Sequence, residues 1–499
     1  MDIVRAYRGG TARWWQLFSD LQVSVVVAMI VVGVWLGRPL PVVAIAAVVW
    51  CARSWRRVAV AGLVAGLAGS VLSTRAWNEV EPNRLGPYEG WACLVTDPAP
   101  FSGAVTAVFE IEGERFETWA RGSPKRRIAD HLAGECAFVT GERKQLGGSA
   151  ERRAAIRHVV GGLALETVGD WNDGTPLARA SNRVRRLFTG GASLLPVPHD
   201  ALLAGLVIGD DRHEPMTMID EFREAGLSHL TAVSGSNVAF VLAAAAPLLR
   251  RLRPIARWLA TIAVIAWFVA LTRFEPSILR AGVMAGIAST GYLLGKEKPP
   301  ARVLALAVGL LTLADPMLVW SVGFWLSVAA TGGVALLGGR MAALIPGPRW
   351  LALPLGVTLG AQIAVSPVSL LVFGTLPLVS IPANLLAVPV AGVVMLYGLP
   401  AGLLAGALAG SRLIGSFGPT IATVVQLPSA LGTRWVATVA ALAARIEPPA
   451  PLPAIGWTVL MGALLVRSIG VRRRPPPTLY RFDDDVQGLA GVDAPDHRR

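Results

Sequence analysis

Charged residues are scarce in this sequence. Only 16% of the 499 residues are Asp, Glu, Lys or Arg, whereas a typical soluble protein has about 25%. The apolar residues are gathered in long runs, and a run of about 20 residues is long enough for a helix to cross a membrane. The composition therefore excludes an ordinary soluble protein. It predicts a polytopic α-helical membrane protein with about 10–13 membrane segments, some broken or re-entrant.

Arginines flank the first apolar runs unequally. Three precede the run that starts at Leu21 and three lie between the second and third runs, but only Arg38 separates the first two. The positive-inside rule then places the N-terminus in the cytoplasm. Residues 1–75 would form the N-terminal spans of a multi-pass protein of the plasma (inner) membrane, and residues 76–200 would lie outside the cytoplasm. The second run is short, and this orientation fails if that run is re-entrant.

Residues 76–200 are more polar and contain five strand-like pieces. The helix-like stretch SPKRRIADHLAGE from Ser123 separates the third piece from the fourth. Five strands with a helix in that place is the order of a small OB barrel, a fold that often binds single-stranded nucleic acid. We therefore predict an inserted all-β, OB-like extracytoplasmic domain. The alternative is a small rigid β-domain that only covers the membrane core.

Two of the three cysteines lie in this segment, Cys93 and Cys136. An even pair in an extracytoplasmic β-domain favours a disulfide, and two free buried thiols are the alternative. Basic residues of the segment could contact a phosphate backbone, although solvated faces would look the same; the candidates are Arg121, Lys125, Arg126, Arg127, Arg143 and Lys144. Aromatic residues could stack on bases or fill the barrel core; these are Trp91, Phe109, Phe116, Trp119 and Phe138.

Apolar runs resume in residues 201–470 and are interrupted by many of the 53 glycines and 35 prolines of the chain. Broken helices expose backbone groups that hydrocarbon cannot satisfy, so they favour a conduit or a pocket over a plain membrane anchor. Polar residues inside these runs are candidates for its lining; they are His229, Ser234, Asn237, Arg273, Arg280, Ser327, Gln362 and Asn384. The alternative is that such residues lie at span ends or bond neighbouring helices.

Four motifs of this region, taken in order, resemble the ComEC competence-protein family. They are LLAGLVIGDD from Leu202 with GLSHLTAVSGSNVAFV from Gly226, LTRFEPSILRAGVMA from Leu271, the Asp-Pro and GFWLS pattern after Leu304, and AQIAVSPVSLLVFGTLPLVSIPANLLAVPVAG from Ala361. The resemblance implies an inner-membrane channel that passes single-stranded DNA into the cytoplasm during transformation. It implies as partners single-stranded DNA, membrane lipids and a DNA receptor outside, with a helicase-like ATPase and single-strand-binding proteins inside. The sequence has no GxxxxGK[ST] loop of its own, so energy would come from such a partner.

The chain departs from the family pattern at its C-terminal end. Many members carry a metallo-β-lactamase-like domain, whose metal site needs a dense His and Asp cluster, whereas His199 and His213 are the closest two histidines here. Residues 471–499 are rich in Pro and charge and predict a disordered cytoplasmic tail. We therefore expect no metal, no cofactor and no enzymatic activity. A separate nuclease would then degrade the other strand, unless the chain is a shortened or split form.

Two other classes of function stay open. One is a transporter of a lipid or small solute. The other is an intramembrane serine protease, because Ser234 follows His229 by five residues. On one helix five residues rotate the two side chains apart by roughly 140°, so a direct hydrogen bond needs a helix break.

Overall fold

The computed structural model describes residues 18–231, 235–296, 298–374, 376–411, 415, 417–449 and 452–470. The predictions for Ser234, for the arginines that precede residue 18 and for the tail 471–499 lie outside these described residues. The described chain is mostly helical, and it carries one small mixed sheet between the first helices and the rest.

Three helices precede the sheet. They are α1 (Asp20–Leu36), α2 (Pro39–Trp50) and α3 (Arg56–Asn78), the last preceded by the 3-10 turn Arg53–Trp55. Ser19 caps α1, because its hydroxyl accepts from the Gln22 backbone while the Gln22 side chain accepts from the Ser19 backbone. Helices α1 and α3 approach so closely that a Cβ at Gly33 would lie 2.1 Å from the Gly66 carbonyl oxygen. Only glycine allows this contact.

The sheet has six strands, one more than the sequence predicts. They are β1 (Gly86–Leu94), β2 (Ala99–Phe101), β3 (Ala104–Ile111), β4 (Glu114–Ala120), β5 (Cys136–Lys144) and β6 (Val159–Asn172), with the short helices α4 (Gly122–Ile128) and α5 (Ser149–Ala155) between them. The pairings run β1–β5–β6–β4–β3, and β3 also pairs with β1. The five long strands therefore close into a ring, here called the barrel. Strands β4 and β6 are parallel, and the other pairs are antiparallel.

The barrel interior is apolar, and one covalent bond joins two of its strands. Phe109 and Phe116 have no exposed surface, and they pack with aliphatic side chains from the other strands. Cys93 and Cys136 are opposite each other in the β1–β5 register and form a disulfide, which is the pair expected from the sequence. The bond closes a loop of 43 residues, so it reduces the conformational freedom of the unfolded barrel.

Fourteen helices follow the barrel in the described residues. They are α6 (Pro176–Ala192), α7 (His199–Ile208), α8 (Met216–Glu224), α9 (Ser228–Thr231), α10 (Gly235–Leu249), α11 (Pro254–Leu271), α12 (Pro276–Leu293), α13 (Pro300–Ala314), α14 (Val322–Gly333), α15 (Gly339–Leu344), α16 (Arg349–Phe373), α17 (Ser380–Ala409) and α18 (Phe417–Ile446), and α19 (Leu452–Gly470) ends the described chain. A 3-10 turn, Pro316–Trp320, precedes α14, and a π-helical segment, Val334–Gly338, joins α14 to α15.

Five helical segments of the described residues are long and apolar enough to cross a membrane. They are Arg53–Asn78, Pro254–Leu271, Val322–Leu344, Arg349–Phe373 and Ser380–Ala409. Several shorter apolar helices of 10–17 residues accompany them. Prolines lie inside α10, α16, α17 and α18, as the interrupted apolar runs predict. The protein is therefore a multi-pass membrane protein by the length and composition of its helices.

Helix α6 connects the barrel to the helical bundle. Phe188 is fully buried in the main bundle core, against the helix α17 backbone at Gly402. A Cβ at Gly191 would lie 2.0 Å from the Gly402 carbonyl oxygen, so the two helices touch along their backbones. At the other end, Asn182 donates to the barrel carbonyl of Ala133 at 3.2 Å. The barrel and the bundle therefore share this one helix.

Candidate functional site

A buried charge network lies where the barrel meets the bundle. Its centre is Arg185 of α6, which is 2% exposed. The guanidinium pairs with Asp97 at 2.9 Å and with Asp210 at 3.3 Å. It also donates to the carbonyl oxygens of Ile208 and Leu271, each at 3.1 Å. One side chain therefore joins the barrel loop before β2 to the ends of α7 and α11.

A second arginine binds the same barrel carboxylate. Arg273, in the turn between α11 and α12, donates to Asp97 at 2.9 Å and to the Asn182 side-chain oxygen at 2.7 Å. Both Arg273 and Phe274 have left-handed backbone conformations, with φ of 60° and 58°. Such conformations are uncommon for residues with a Cβ, so the surrounding contacts hold this turn in place. Burial alone would raise the pKa of Asp97, but Arg185 and Arg273 together hold it below its ordinary value.

The loop after α7 carries Asp210 and two further carboxylates, Asp211 and Glu214. Asp210 is held by Arg212 at 2.6 Å and by Arg185, and these partners outweigh burial and lower its pKa. Glu214 is 7% exposed, and its Oε1 atom has no hydrogen-bond partner among the described residues. Burial, together with repulsion from Asp211 and Asp210, raises the pKa of Glu214 to about 8. Glu214 is therefore protonated at neutral pH, which removes the cost of a buried unpaired charge.

A separate contact joins the barrel to the bundle at another point. Nε2 of His158, between α5 and β6, lies 3.1 Å from Oδ1 of Asp315, which precedes the 3-10 turn. The same carboxylate accepts from the Met317 backbone at 2.9 Å and caps that turn. The Arg185 network on α6 and the His158–Asp315 contact thus both join the barrel to the bundle.

Inside the bundle, the structure brings together Arg280 and Ser327, two of the residues predicted to line a path. Arg280 of α12 is 4% exposed. Its Nε atom donates to the Ser327 hydroxyl at 3.1 Å, its Nη2 atom contacts the same hydroxyl, and its Nη1 atom donates to Thr331 at 2.9 Å. No Asp or Glu in the described ranges lies within ion-pair distance of Arg280.

The other predicted path residues lie apart from this group. Asn237 donates to the Leu206 carbonyl at 2.8 Å and so ties α10 to α7. Asn384 donates to the Ser380 carbonyl of its own helix. Gln362 is half-buried on α16, and His229 lies on α9. Arg273 belongs to the junction network described above. The side chains of Asn237 and Asn384 thus have contacts that stabilise helices.

The barrel aromatics divide into a core set and a surface set. Phe109 and Phe116 are the core set. On the surface, Trp91 and Phe138 form an edge-to-face pair with ring centroids 5.9 Å apart. Trp119 forms a similar pair with Phe101 at 5.4 Å. Trp91 and Trp119 are each about half exposed, which is unusual for side chains that gain so much from burial.

The predicted basic contacts of the barrel differ in their exposure. Arg121, Arg126 and Arg127 are exposed at α4, and Lys125 donates to the Gly103 carbonyl at 2.9 Å. Arg143 is only 8% exposed and lies over the Tyr88 ring at 5.1 Å. Lys144 is exposed and pairs with Glu142. The exposed surface of α4 is thus the most basic part of the predicted contact set.

Sequence reasoning missed the junction network. The string IGDDRHEP after Ile208 places four charged residues and a histidine directly after an apolar helix, and this was the available signal. Arg185 lies among other arginines in RASNRVRRLF, where a solvated basic face was the simpler interpretation. No group of three or more His, Cys, Asp or Glu side chains that could hold a metal ion occurs in the part of the chain that the structure describes.

Comparison with known proteins gives a family and two relatives. The family model described as competence protein matches residues 206–471, more than half of the chain. An Escherichia coli (strain K12) protein, the uncharacterized protein YcaI, is 29% identical over 235 residues, which is 42% of this chain and 30% of that protein. ComE operon protein 3 of Bacillus subtilis (strain 168) is 29% identical over 200 residues, which is 40% of this chain and 25% of that protein. The matched stretches thus cover less than a third of each relative. No solved structure matches the chain.

Proposed function

Because this chain belongs to the competence protein family, we propose that it forms a membrane channel that passes single-stranded DNA into the cytoplasm during DNA uptake. The family match over residues 206–471 carries the proposal. The matched residues include Arg280, Ser327 and most of the candidate spans.

The membrane region supports a conduit in physical terms. Prolines in α16 and α17, and the π-helical segment before α15, interrupt regular helical hydrogen bonding. Such interruptions leave backbone groups that must be satisfied by protein or by water in a cavity. Arg280 adds a buried cation with neutral neighbours. A polyanion that crosses the membrane requires donors of this kind along its route.

We also propose that the barrel is OB-like and receives the strand outside the cytoplasm. With the five long strands numbered in chain order, their ring order is 1-2-3-5-4, and α4 lies between the third and the fourth. This order agrees with the five-stranded Greek-key barrel of the OB fold. The exposed pairs Trp91–Phe138 and Phe101–Trp119 would stack on bases. The exposed arginines at α4 would attract the backbone.

The proposed partners are the molecules that transport of single-stranded DNA across a membrane would require. Single-stranded DNA is the substrate, and membrane lipids surround the bundle. A DNA receptor would deliver the duplex outside, and a helicase-like ATPase would supply the energy inside. Single-strand-binding proteins would take up the strand as it emerges, and a separate nuclease would remove the complementary strand.

Uptake of labelled DNA tests the proposal. A strain deleted for the native gene is complemented with the full chain, and DNase-resistant label and transformants are counted. We expect the chain to restore uptake to the level of the parent strain. An empty vector gives the background, and the exposed variant Arg183→Gln on α6 serves as a matched control. Background uptake from a normal amount of the membrane-inserted chain would reject the proposal.

The same strains distinguish the other classes of function. A lipid or small-solute transporter would leave DNA uptake unchanged and alter membrane composition or solute content. An intramembrane serine protease would need Ser234, so Ser234→Ala would abolish cleavage of a membrane substrate and not DNA entry. Normal uptake by Ser234→Ala is expected under the channel proposal only if that hydroxyl does not contact the strand.

A further inference from the structure

Arg280 is buried in the bundle, and no residue in the described ranges gives it a compensating charge. Its guanidinium has three partner side chains, Ser327, Thr331 and Met284, and all three are neutral. The ion pairs of the described chain do not include it. A buried charge usually has a partner of opposite charge, since hydroxyls accept its hydrogen bonds without neutralising it. The described residues therefore supply no anion to balance the Arg280 charge, and a bound anion would fill that role.

Beside the Arg280 guanidinium, the neighbouring groups leave one hydroxyl donor and an open side for such an anion. Thr331 donates its own hydroxyl hydrogen to the Ser327 carbonyl at 2.9 Å. The hydroxyl hydrogen of Ser327 has no acceptor among the described residues, so it is available to a ligand beside the guanidinium. On the other side stands Gly235 of α10, where a Cβ would lie 3.3 Å from Nη2 of Arg280. A side chain at Gly235 would crowd the guanidinium, and glycine leaves that side open.

We propose that Arg280 and Ser327 form a binding site inside the bundle for a single phosphate oxyanion. This inference rests on the proposed function for the identity of the substrate, because the phosphate would be one backbone phosphodiester of the entering strand. Four of the five guanidinium N–H groups have partners, and the second N–H of Nη2 has no acceptor among the described residues. This N–H and the Ser327 hydroxyl would each donate to a phosphate oxygen, and the charge of the guanidinium would strengthen the first of these bonds. The site would hold each phosphate in turn and would be indifferent to the bases.

Neutral backbone linkages test the site in cells. Labelled duplex DNA is prepared with a short run of methylphosphonate linkages, which lack the charge, in either strand. The wild-type chain should import unmodified DNA normally and stall at the neutral run, with at least a tenfold lower import of the sequence beyond it. Arg280→Gln should import unmodified DNA at least tenfold more slowly and lose the difference between the two substrates. Arg280→Lys should be intermediate, because a point charge still attracts phosphate.

Arg340 gives a matched control, since it is an exposed arginine of the same bundle and donates to the Leu336 carbonyl four residues earlier. Arg340→Gln should behave as the wild type with both substrates. If Arg280→Gln accumulates poorly, Arg280→Lys and Ser327→Ala replace it in the test. The quantity compared is then the ratio of import of unmodified DNA to import of methylphosphonate DNA. A ratio equal to that of the wild type in these folded variants would mean that Arg280 is structural, and it would overturn the site.

A second experiment separates failure of the site from failure of the channel proposal. The purified full chain in detergent is heated with inorganic phosphate at constant ionic strength. Phosphate should raise the apparent melting temperature of the wild type and of Arg340→Gln, and not that of Arg280→Gln. A shift in wild type and Arg280→Gln alike, or in neither, would reject the site. A shift that needs Arg280, found in a chain that does not restore DNA uptake, would reject the channel and keep an oxyanion site for free phosphate.

Discussion

Asp97 of the barrel and Arg185 of α6 form a 2.9 Å ion pair whose side chains are 9% and 2% exposed. Two such groups lose their hydration on folding, and their attraction repays this loss only when further partners complete the site. Asp210, Arg273 and two carbonyl oxygens supply those partners. The pair therefore joins the barrel to the helical bundle. Removing one member should lower the stability of the folded chain strongly, because the other charge stays buried.

Arg185→Met should destabilise the folded chain by about 3–5 kcal/mol, because it leaves Asp97 and Asp210 buried with fewer partners. The measurement is the apparent melting temperature of the detergent-purified protein, together with the protease resistance of the barrel. Arg183→Gln, on the exposed face of the same helix, should change stability by less than about 0.5 kcal/mol. Equal stability of the two variants would show that the junction does not hold the barrel.

Loss of the disulfide should destabilise the barrel. The double change Cys93→Ser with Cys136→Ser frees a loop of 43 residues, for which chain entropy gives about 4 kcal/mol. Limited proteolysis and thermal unfolding measure this loss. Cys51→Ser, which removes the exposed free cysteine, should have no effect. A peptide map with free thiols at both positions in unreduced protein would contradict the bond.

Glu214 should make stability depend on pH. Its pKa rises from 4.5 to about 8 on folding, so the folded chain keeps a proton that the unfolded chain loses between these values. Stability should therefore fall as pH rises through this window, by about 1.4 kcal/mol per pH unit for one proton, and should level off above it. Glu214→Gln should flatten the slope in melting scans from pH 5 to 9.

The pH experiment on Glu214 has one further contributing carboxyl group and one control position. Burial also raises the pKa of Asp211, so a smaller slope should remain in Glu214→Gln. Glu166→Gln, at an exposed position of β6, should keep the full slope of the wild type. A wild-type melting temperature that is constant across the range would contradict the buried, protonated state of Glu214.

The exposed aromatic residues of the barrel should contribute to single-strand affinity. Trp91→Ala and Trp119→Ala should each weaken binding of a labelled oligothymidine by about 1–3 kcal/mol, the value of one base stack. Fluorescence anisotropy with the purified full chain measures this. Leu85→Ala, at a residue that is 47% exposed before β1, is the control. Unchanged affinity in both tryptophan variants would remove the stacking surface.

The orientation of the barrel can be tested by cysteine labelling in a Cys51→Ser background. Gly147→Cys suits the barrel, because Gly147 is exposed and no atom lies within 4 Å of an added Cβ. Leu252→Cys suits the other end of α11, opposite the end that contacts the barrel. An impermeant maleimide should label the first in intact spheroplasts and the second only after permeabilisation. The reverse pattern would place the barrel in the cytoplasm.

Local patterns in the sequence predict part of this structure. Alternation along β3 and β4 places Phe109 and Phe116 inside, and Trp119 on the opposite face. The two cysteines belong to strands that the composition identifies, and the helix between β4 and β5 follows from its residues. Strand β2 has only three residues, too few for a pattern, and it was missed.

The buried charges are harder to predict, because their partners are distant in sequence. Arg185 binds Asp97, but strands β2 to β6 separate the two residues in the sequence. Nothing in the sequence near either residue identifies the other. Arg280 was predicted to line a path, and the structure gives it the hydroxyls of Ser327 and Thr331 as partners. Hydroxyls are common in helices that pack on each other. Their presence therefore does not show which one will face an arginine.

The spacing of the junction network has a consequence for biosynthesis. Arg273 contacts Asp97 across 176 positions of the chain. At about 5–20 residues per second, synthesis reaches Arg273 about 9–35 s after Asp97. The barrel strands and their disulfide can form in that interval, and Arg185 is already synthesised, but Arg273 reaches the Asp97 carboxylate only after α11 has been inserted. Docking of the barrel is thus completed late in assembly, and a chain arrested before Arg273 lacks one of the two arginines that pair with Asp97.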